Sequence, residues 1–270
     1  WPSWGNAPGG SRYAQVDRLT PANVAGLKVA WTFETGAVPH PGGAPALAFE
    51  TTPLKIGNTL YACSPHNLIF AIDAVSGRQI WRYDPRVDET GLAFANCRGV
   101  AYARLPDVAP DQPCAERLFM GTIDARLVAV DARTGLACAD FGDSGQVNMR
   151  RNVGQHVKIY YYFTSVPVVS GKVVVIGSYG LDGQTINQPS GVIRAYDLRT
   201  GALTWDFDPA DHDRVTPLGP DETYAPGTPN SWSVSSTDEA LGLVYVPFGV
   251  ATPDYYGGER SAAGEKFSNT

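Results

Sequence analysis

Residues 190–207 read SGVIRAYDLRTGALTWDF, and this stretch decides the fold. Residues 192–196 predict a β-strand, residues 197–201 predict a tight turn, and residues 202–207 predict a second strand. The turn ends on a glycine, which adopts a positive φ at no steric cost. The stretch is therefore predicted to be a β-hairpin whose outer strand carries Trp205.

The same pattern occurs twice earlier in the chain, as LIFAIDAVSGRQIWRY at 68–83 and RLVAVDARTGLACADF at 126–141. Each copy has an Asp, a Gly four residues later, a Trp position eight residues later and an aromatic residue two positions beyond that. The aligned residues are Asp73, Gly77, Trp81 and Tyr83; Asp131, Gly135, Ala139 and Phe141; and Asp197, Gly201, Trp205 and Phe207. A single Asp-to-Gly turn means little, but three in register indicate a repeat protein.

Each hairpin follows a second predicted pair of strands, so each repeat has four strands. The units fall at about 51–83, 99–141 and 164–207, and a fourth begins at 232–250. Residues 27–35, with Trp31, look like the outer strand of another unit and are predicted to close a ring. These features predict an all-β protein, a β-propeller of four-stranded blades, with about half of a larger ring in this chain. A β-sandwich is the alternative, but it predicts neither the repeat nor the lone strand.

The composition is that of a turn-rich β protein, with 43% hydrophobic residues, 29 Gly and 21 Pro in 270 residues. The net charge is −6 and no basic residues cluster, which argues against a nucleic-acid partner. No apolar run is long enough to span a membrane, and the chain begins at Trp1 without an initiator Met, so we expect it to be part of a longer protein. The four Cys form no CxxC pattern. Two disulfides in an oxidising compartment and four buried thiols both remain open, as does the connectivity.

Propellers place their functional sites in the loops between blades, and several loops here are long. Polar residues stand at predicted strand ends in these loops: Glu50, Arg98, Thr164, Asp182 and Asn230. An arginine suits a polyanion, and carboxylate and amide oxygens suit a hard cation. Each of these residues can equally be a solvated loop or turn residue, and His66 can be a turn residue, a ligand or a base. No GxGxxG, GxxxxGK[ST], GxSxG or HExxH motif occurs.

With these residues in place, nearly the whole chain resembles the pyrroloquinoline-quinone (PQQ)-dependent dehydrogenases. The resemblance is closest to their membrane-bound, quinone-reducing branch, which includes glucose and quinate dehydrogenases. The AxDxxTGxxxW hairpins are similar to the blade signature of that family. The other matching stretches are WPSWGNAPGGSRYAQVDRLTPANVAGLKVAWTFETG, ETTPLKIGNTLYACSPHNLIFAIDAVSG, CRGVAY, TSVPVV, TPNSW and GVATPDYYGG.

The resemblance implies an eight-bladed propeller with PQQ and a divalent cation, Ca²⁺ or Mg²⁺, on its axis. The positions implied to contact the cofactor are Glu50, Arg98, Thr164 and Ser178. Asp182 and Asn230 match the region that supplies cation ligands, and His66 matches a histidine on the substrate side in the membrane glucose dehydrogenases. The family's catalytic Asp, in an HDxWD stretch, has no match here, because His212-Asp213 is followed by Arg214. We expect that Asp beyond residue 270.

The resemblance further implies a periplasmic dehydrogenase that oxidises an aldose and passes electrons to ubiquinone, anchored in the inner membrane by a segment outside this chain. A quinate, shikimate or other polyol dehydrogenase is the first alternative. A non-catalytic propeller that serves as a scaffold is the second. The chain would need the remainder of its own propeller as a partner, so we expect these 270 residues alone to be inactive.

Overall fold

The structure is a computed structural model that describes residues 1–7, 9–41, 43–154, 158–181, 183 and 185–270. In this described part, β-strands dominate and the one α-helix is α1 (Ala262–Lys266). The strands are β1 (Ala46–Ala48), β2 (Leu54–Ile56), β3 (Thr59–Cys63), β4 (Ile69–Asp73), β5 (Gln79–Tyr83), β6 (Phe94–Asn96), β7 (Ala101–Arg104), β8 (Glu116–Gly121), β9 (Arg126–Asp131), β10 (Gln146–Asn148), β11 (Tyr161–Tyr162), β12 (Val168–Ser170), β13 (Val173–Ile176), β14 (Tyr179–Gly180), β15 (Ile193–Asp197), β16 (Leu203–Phe207), β17 (Ser236–Asp238) and β18 (Leu243–Tyr245). Short 3₁₀ turns occur at Val24–Gly26, Lys158–Tyr160 and Gly257–Glu259.

Three antiparallel four-stranded sheets follow one another along the chain. Their strand orders are β2-β3-β4-β5, β7-β8-β9-β10 and β12-β13-β15-β16, and β17 and β18 begin a further sheet. Strand β12 lies against both β7 and β17, so the first strands of successive sheets are neighbours. Successive four-stranded sheets joined in this way are the blades of a β-propeller. The all-β prediction is confirmed.

The repeated Asp-to-Gly segments form the predicted turns for a local reason. The carboxylate of Asp73 accepts a hydrogen bond from the backbone N–H of Ser76 at 2.7 Å, and Asp197 does the same with Thr200 at 2.7 Å. Each turn then closes on a glycine with φ near 70°, a conformation that side chains with a Cβ rarely adopt. The turn geometry therefore depends on both residues of the motif.

The second sheet differs from the prediction at its outer strand. The second strand of the hairpin predicted at 126–141 does not form around Ala139. Strand β10 takes the outer position instead by pairing with β9. Residues 137–141 instead make one isolated bridge, Val130 with Ala137, and a disulfide joins Cys138 to Cys114. The disulfide and the missing Trp explain the difference, because residue 139 has no aromatic side chain to place on the next blade.

Residues 27–35, all of them described, do not form the predicted strand. Side chains fix this extended segment instead. Trp31 Nε1 donates to the carbonyl oxygen of Ala74 at 3.3 Å, and Phe33 packs edge-on against Phe70 with ring centroids 5.3 Å apart. The segment is hydrogen-bonded to no sheet in the described part of the chain, so its backbone has no ladder to join. Its ring-closing role stays a prediction.

The four cysteines form two disulfides, Cys63–Cys97 and Cys114–Cys138, and no free thiol is left. The first disulfide ties the end of β3 to the residue before Arg98. The largest buried clusters lie between neighbouring sheets, with Phe119 and Phe141 fully buried between the second and third. No helix in the described residues has the length and apolar character that crossing a membrane requires.

Candidate functional site

A short parallel pair of strands brings the first two candidate residues together. Strands β1 and β6 pair in parallel with Ala48 opposite Asn96. Glu50 and Arg98 each lie two residues further on, so they leave the same edge side by side. Arg98 Nη2 is 3.0 Å from Glu50 Oε2. The parallel register therefore builds the ion pair.

Arg98 also reaches the third predicted residue. Its Nη1 donates to Thr164 Oγ1 at 2.7 Å, and Asn96 Nδ2 donates to the same Glu50 oxygen at 2.9 Å. The Arg98 side chain is 20% exposed and that of Glu50 is 42% exposed, so the pair is partly open to solvent. A guanidinium has more N–H donors than these two contacts use, which leaves capacity for an anionic ligand.

Beside this cluster lie buried polar atoms without a hydrogen-bond partner in the described residues. They are Asn96 Oδ1, Ser178 Oγ, Asn230 Oδ1 and Ser231 Oγ. The backbones around them are close: a Cβ on Gly177 would lie 2.6 Å from the Ser231 carbonyl oxygen, and one on Gly180 would lie 3.3 Å from Asn230 Nδ2. Buried polar atoms in folded proteins are almost always satisfied. Several unsatisfied oxygens close together mark a candidate position for a ligand or cation.

Trp232 links the ion pair to these buried oxygens. The Arg98 guanidinium carbon lies 5.4 Å from the centroid of the Trp232 ring, and Ser165 Oγ donates to the Trp232 carbonyl oxygen. Trp232 follows Asn230 and Ser231 directly, and it is 44% exposed. The site thus combines a cation, hydroxyl and amide groups, and an aromatic ring that can pack on a planar ligand.

The structure brings Glu50, Arg98 and Thr164 into direct contact, and it places Ser178 and Asn230 among the buried oxygens beside them. Asp182 lies outside the described residues. The roles predicted for all of these residues stay predictions. Sequence reasoning missed Asn96, Ser231 and Trp232, although each is within two residues of a residue that it selected.

His66 makes different contacts from the other candidates. Its Nδ1 is 2.8 Å from Glu89 Oε1, and its Nε2 is 3.1 Å from the Val38 carbonyl oxygen. The next residue, Asn67, donates to the Asn96 carbonyl oxygen at 3.2 Å, so His66 lies beside the site. A role on the substrate side stays a prediction.

Comparison with known sequence families gives one match that covers residues 1–270, to the family described as PQQ: glucose/ethanol/alcohol dehydrogenase, β-propeller domain. Among characterised proteins, the chain is 42% identical over 273 residues to the glycerol dehydrogenase large subunit of Gluconobacter oxydans, covering 100% of this chain and 36% of that protein. It is 40% identical to quinate/shikimate dehydrogenase (quinone) of Acinetobacter baylyi, covering 100% of this chain and 35% of the relative. It is 36% identical to quinoprotein glucose dehydrogenase of Escherichia coli, covering 100% of this chain and 34% of the relative.

Solved structures give the same fold. Quinohemoprotein alcohol dehydrogenase from Comamonas testosteroni superposes with a TM-score of 0.68 at 25% identity, covering 94% of this chain and 36% of that one. A europium-containing methanol dehydrogenase superposes with a TM-score of 0.69 at 24% identity, covering 93% of this chain and 42% of that one. This second likeness supports the fold alone. The chain spans about a third of the length of the characterised relatives that it matches.

Proposed function

The chain belongs to the PQQ-dependent glucose/ethanol/alcohol dehydrogenase family, and on that premise we propose that it forms part of a dehydrogenase that oxidises an aldose. In this proposal the site around Arg98 binds PQQ with a divalent cation, Ca²⁺ or Mg²⁺. The electrons pass to ubiquinone, and the enzyme works in the periplasm. The two disulfides support an oxidising compartment.

The observation that carries the proposal is the contact of Glu50, Arg98 and Thr164 beside unsatisfied buried oxygens. PQQ is a planar tricarboxylate with an ortho-quinone, so it needs a cation, hydrogen-bond donors and an aromatic surface. Arg98 supplies the cation, Thr164 and Ser178 supply hydroxyls, and Trp232 supplies an aromatic surface. The residues present therefore fit this cofactor.

PQQ, when bound, supplies the two-electron acceptor for the oxidation of an alcohol. The residues of this chain bind the cofactor and orient it. Glu50 and Thr164 hold the Arg98 guanidinium from two sides, so its remaining N–H groups have a fixed direction. Burial of Asn96 and Ser178 keeps water from competing for their polar atoms. The positive charge of Arg98 favours negative charge on a ligand at this site.

Asn230 is proposed as a cation ligand through Oδ1, the buried amide oxygen that has no partner in the described residues. Ca²⁺ and Mg²⁺ prefer carboxylate, amide and carbonyl oxygens. We keep Asp182 as a second proposed ligand on sequence grounds. The proton acceptor for the substrate hydroxyl is proposed to be the Asp expected beyond residue 270, with His66 on the substrate side.

A polyol is the second candidate substrate, because the glycerol and quinate/shikimate dehydrogenases are 42% and 40% identical to this chain. The scaffold alternative is weaker. A propeller with no ligand has no use for a partly buried Arg98 ion pair beside unsatisfied buried oxygens.

Binding of PQQ by the full-length protein tests the proposal, measured by fluorescence quenching with excess Ca²⁺. Arg98→Ala should weaken binding about 10- to 100-fold, because hydrogen bonds to a charged group contribute about 1.5–3 kcal/mol. Arg104→Ala is the matched control, since Arg104 is an exposed arginine at the end of β7. PQQ binding that Arg98→Ala leaves unchanged would overturn the proposed site.

Substrate class is tested with the reconstituted protein and an artificial electron acceptor. We expect dye reduction with glucose, and we compare its kcat/KM with those for glycerol and quinate. A preference for glycerol or quinate would establish the polyol alternative. Absence of turnover with all three, in a protein that binds no PQQ, would favour the scaffold.

A further inference from the structure

We propose that His40, His66 and Glu89 form a second metal site, which binds a divalent transition-metal ion such as Zn²⁺. These residues lie beside the site described above and contact neither Glu50 nor Arg98 in the described hydrogen bonds and ion pairs. The proposal stands on their geometry and does not depend on the proposed function.

The Glu89 carboxylate lies between the two histidines, with one oxygen facing each of them. His40 Nε2 is 2.7 Å from Glu89 Oε2, and His66 Nδ1 is 2.8 Å from Glu89 Oε1. All the candidate ligand atoms lie within 4.8 Å of one another. A tetrahedral Zn²⁺ with bonds of about 2.1 Å holds its ligand atoms about 3.4 Å apart. Side-chain shifts of about an ångström would therefore admit the ion.

The hydrogen-bond contacts of His66 favour a cation between its ring and Glu89. Its Nε2 faces the Val38 carbonyl oxygen, which only accepts, so Nε2 must carry a hydrogen. In a neutral ring, Nδ1 then carries a lone pair, and that lone pair faces the Glu89 carboxylate. Two acceptors 2.8 Å apart repel unless a positive charge lies between or on them. A bound metal ion supplies that charge, and an imidazolium is the alternative that the experiment must separate.

The surroundings of His66 are those of a metal ligand. Metal-bound histidines commonly donate the other ring N–H to a carbonyl or carboxylate, as His66 does to Val38, and this fixes the ring. The turn that carries His66 is closed by two backbone hydrogen bonds, Ser64 N–H to Leu68 O at 2.9 Å and Asn67 N–H to Ser64 O at 2.9 Å. The site would therefore be largely preorganised on the side of the first sheet.

Two imidazoles and one carboxylate select the type of ion. Ca²⁺ and Mg²⁺ prefer all-oxygen sites, whereas imidazole suits Zn²⁺ and its neighbours in the first transition series. Three protein ligands leave the fourth tetrahedral position open. A cavity of about 480 Å³ adjoins the three residues, and its lining includes Pro39 and Arg86. The ion would join the 38–41 loop, the turn after β3 and the 84–92 loop.

Isothermal titration of the full-length protein with ZnCl₂ tests the site, in excess Ca²⁺ so that oxygen-rich sites are filled. We expect one Zn²⁺ to bind per chain. Single substitutions His40→Gln, His66→Gln and Glu89→Gln should each weaken binding at least about 100-fold, since each removes one of three ligands. His212→Gln is the matched control, because His212 contacts Lys266 and Asp213 and lies in none of these loops.

Co²⁺ substitution gives a second readout that does not depend on affinity. A tetrahedral Co²⁺ with nitrogen and oxygen ligands shows intense visible absorption, which His66→Gln should abolish and His212→Gln should leave in place. Circular dichroism checks that each variant is folded. Absence of Zn²⁺ binding in the unsubstituted protein, or binding that all three ligand variants retain, would overturn the proposal. A His66 ring with both N–H protons visible by NMR in the presence of Zn²⁺ would establish the imidazolium instead.

Discussion

The junction between the first and second sheets and the junction between the second and third sheets use different chemistry. At the first, the Trp81 ring covers the turn glycine of the next sheet, so closely that a Cβ on Gly135 would lie 2.6 Å from the ring. Trp81 Nε1 donates to the Ala132 carbonyl oxygen at 3.1 Å. Trp31 repeats the arrangement one step earlier, with Gly77 and Ala74.

At the second junction the Trp position is Ala139, and a buried arginine takes over. Arg117 is 1% exposed, and its Nη1 donates to the carbonyl oxygens of Leu198 at 3.2 Å and Arg199 at 2.7 Å. Its Nη2 donates to both carboxylate oxygens of Asp140, at 2.8 and 2.6 Å. Its Nε donates to the Cys114 carbonyl oxygen at 2.9 Å.

The two junctions share their acceptor and differ in their donor. Ala132 and Leu198 each follow the Asp of a turn motif, so the same carbonyl of the repeat is satisfied by an indole in one case and a guanidinium in the other. The indole also contributes apolar burial. The guanidinium contributes little of this, and its burial is tolerable only because every side of it is hydrogen-bonded. The second junction should therefore fail more sharply when its donor is removed.

The largest effect is expected from Arg117→Met, which keeps much of the side-chain volume and removes the donors. Three backbone carbonyls would lose a partner, those of the buried residues Cys114 and Leu198 and that of the exposed Arg199. The free energy of unfolding should therefore fall by about 4 kcal/mol. Urea unfolding measures this. Arg133→Met is the control on the same sheet, because Arg133 is exposed and should change stability by less than about 0.5 kcal/mol. Equal effects of the two substitutions would show that Arg117 is not what holds the second junction.

A smaller loss is expected from Trp81→Ala, about 3 kcal/mol, because the ring is only partly buried. Trp81→Phe keeps an aromatic ring on Gly135 and removes only the donor to Ala132. That carbonyl retains the Tyr61 hydroxyl as a donor at 2.9 Å, so we expect a loss of about 1 kcal/mol. A phenylalanine variant as unstable as the alanine variant, in the same urea titration, would contradict the view that burial dominates here.

The repeat made the blades predictable, since the Asp, Gly and Trp positions act within one hairpin and its neighbour. Arg117 was not predictable, because nothing in its own strand shows that it ends beneath Leu198, 81 residues later. The outer strand of the second sheet was predicted wrongly for a related reason. The Cys114–Cys138 disulfide, whose pairing sequence cannot give, ties residue 138 to Cys114, and the pairing with β9 does not continue through residue 139 as a strand.

The candidate site was predictable in part. Strand ends gave Glu50, Arg98 and Thr164, and these do meet in the structure. The parallel pairing of β1 with β6 that aligns them leaves no pattern in the sequence, because each strand has only three residues. The contact of His40 with Glu89 could not be predicted either, because the two residues lie 49 positions apart in loops without a sequence pattern that pairs them.

Substitutions at two glycines distinguish the stability cost of displacing the indole from the cost of backbone strain. Gly135 and Gly171 both have positive φ in turns, at 75° and 54°, but no atom of the described residues lies within 4 Å of a Cβ built on Gly171. Gly171→Ala should cost about 1 kcal/mol from the left-handed backbone alone. Gly135→Ala should cost about 2 kcal/mol or more, because the ring of Trp81 must also move. Thermal unfolding of the pair gives the difference, and equal shifts would mean that the indole yields freely.

The smallest effect concerns the acid dependence of the turn aspartates. Burial opposes ionisation of Asp131, but hydrogen bonds from the backbone N–H groups of Cys114, Thr134 and Arg133 outweigh it and lower the pKa of this carboxyl below its ordinary 3.8. A lowered pKa in the folded state stabilises the protein above pH 3.8, and this contribution is lost as the pH falls through the folded-state pKa. Asp131→Asn should therefore lower stability by about 1 kcal/mol at pH 7, and the gap to the unsubstituted protein should narrow below pH 4.

Asp73→Asn is the comparison for this experiment, since among the described residues the Asp73 carboxylate accepts hydrogen bonds only from Val75 and Ser76 of its own exposed turn. Asp131 reaches beyond its turn to the Cys114 N–H at 2.5 Å, which lies beside the disulfide of the second junction. We expect the pH-dependent gap to be larger for Asp131→Asn, as measured by urea midpoints between pH 2 and pH 7. A larger gap for Asp73→Asn would mean that the local turn, rather than the tie to Cys114, sets the contribution of these carboxylates.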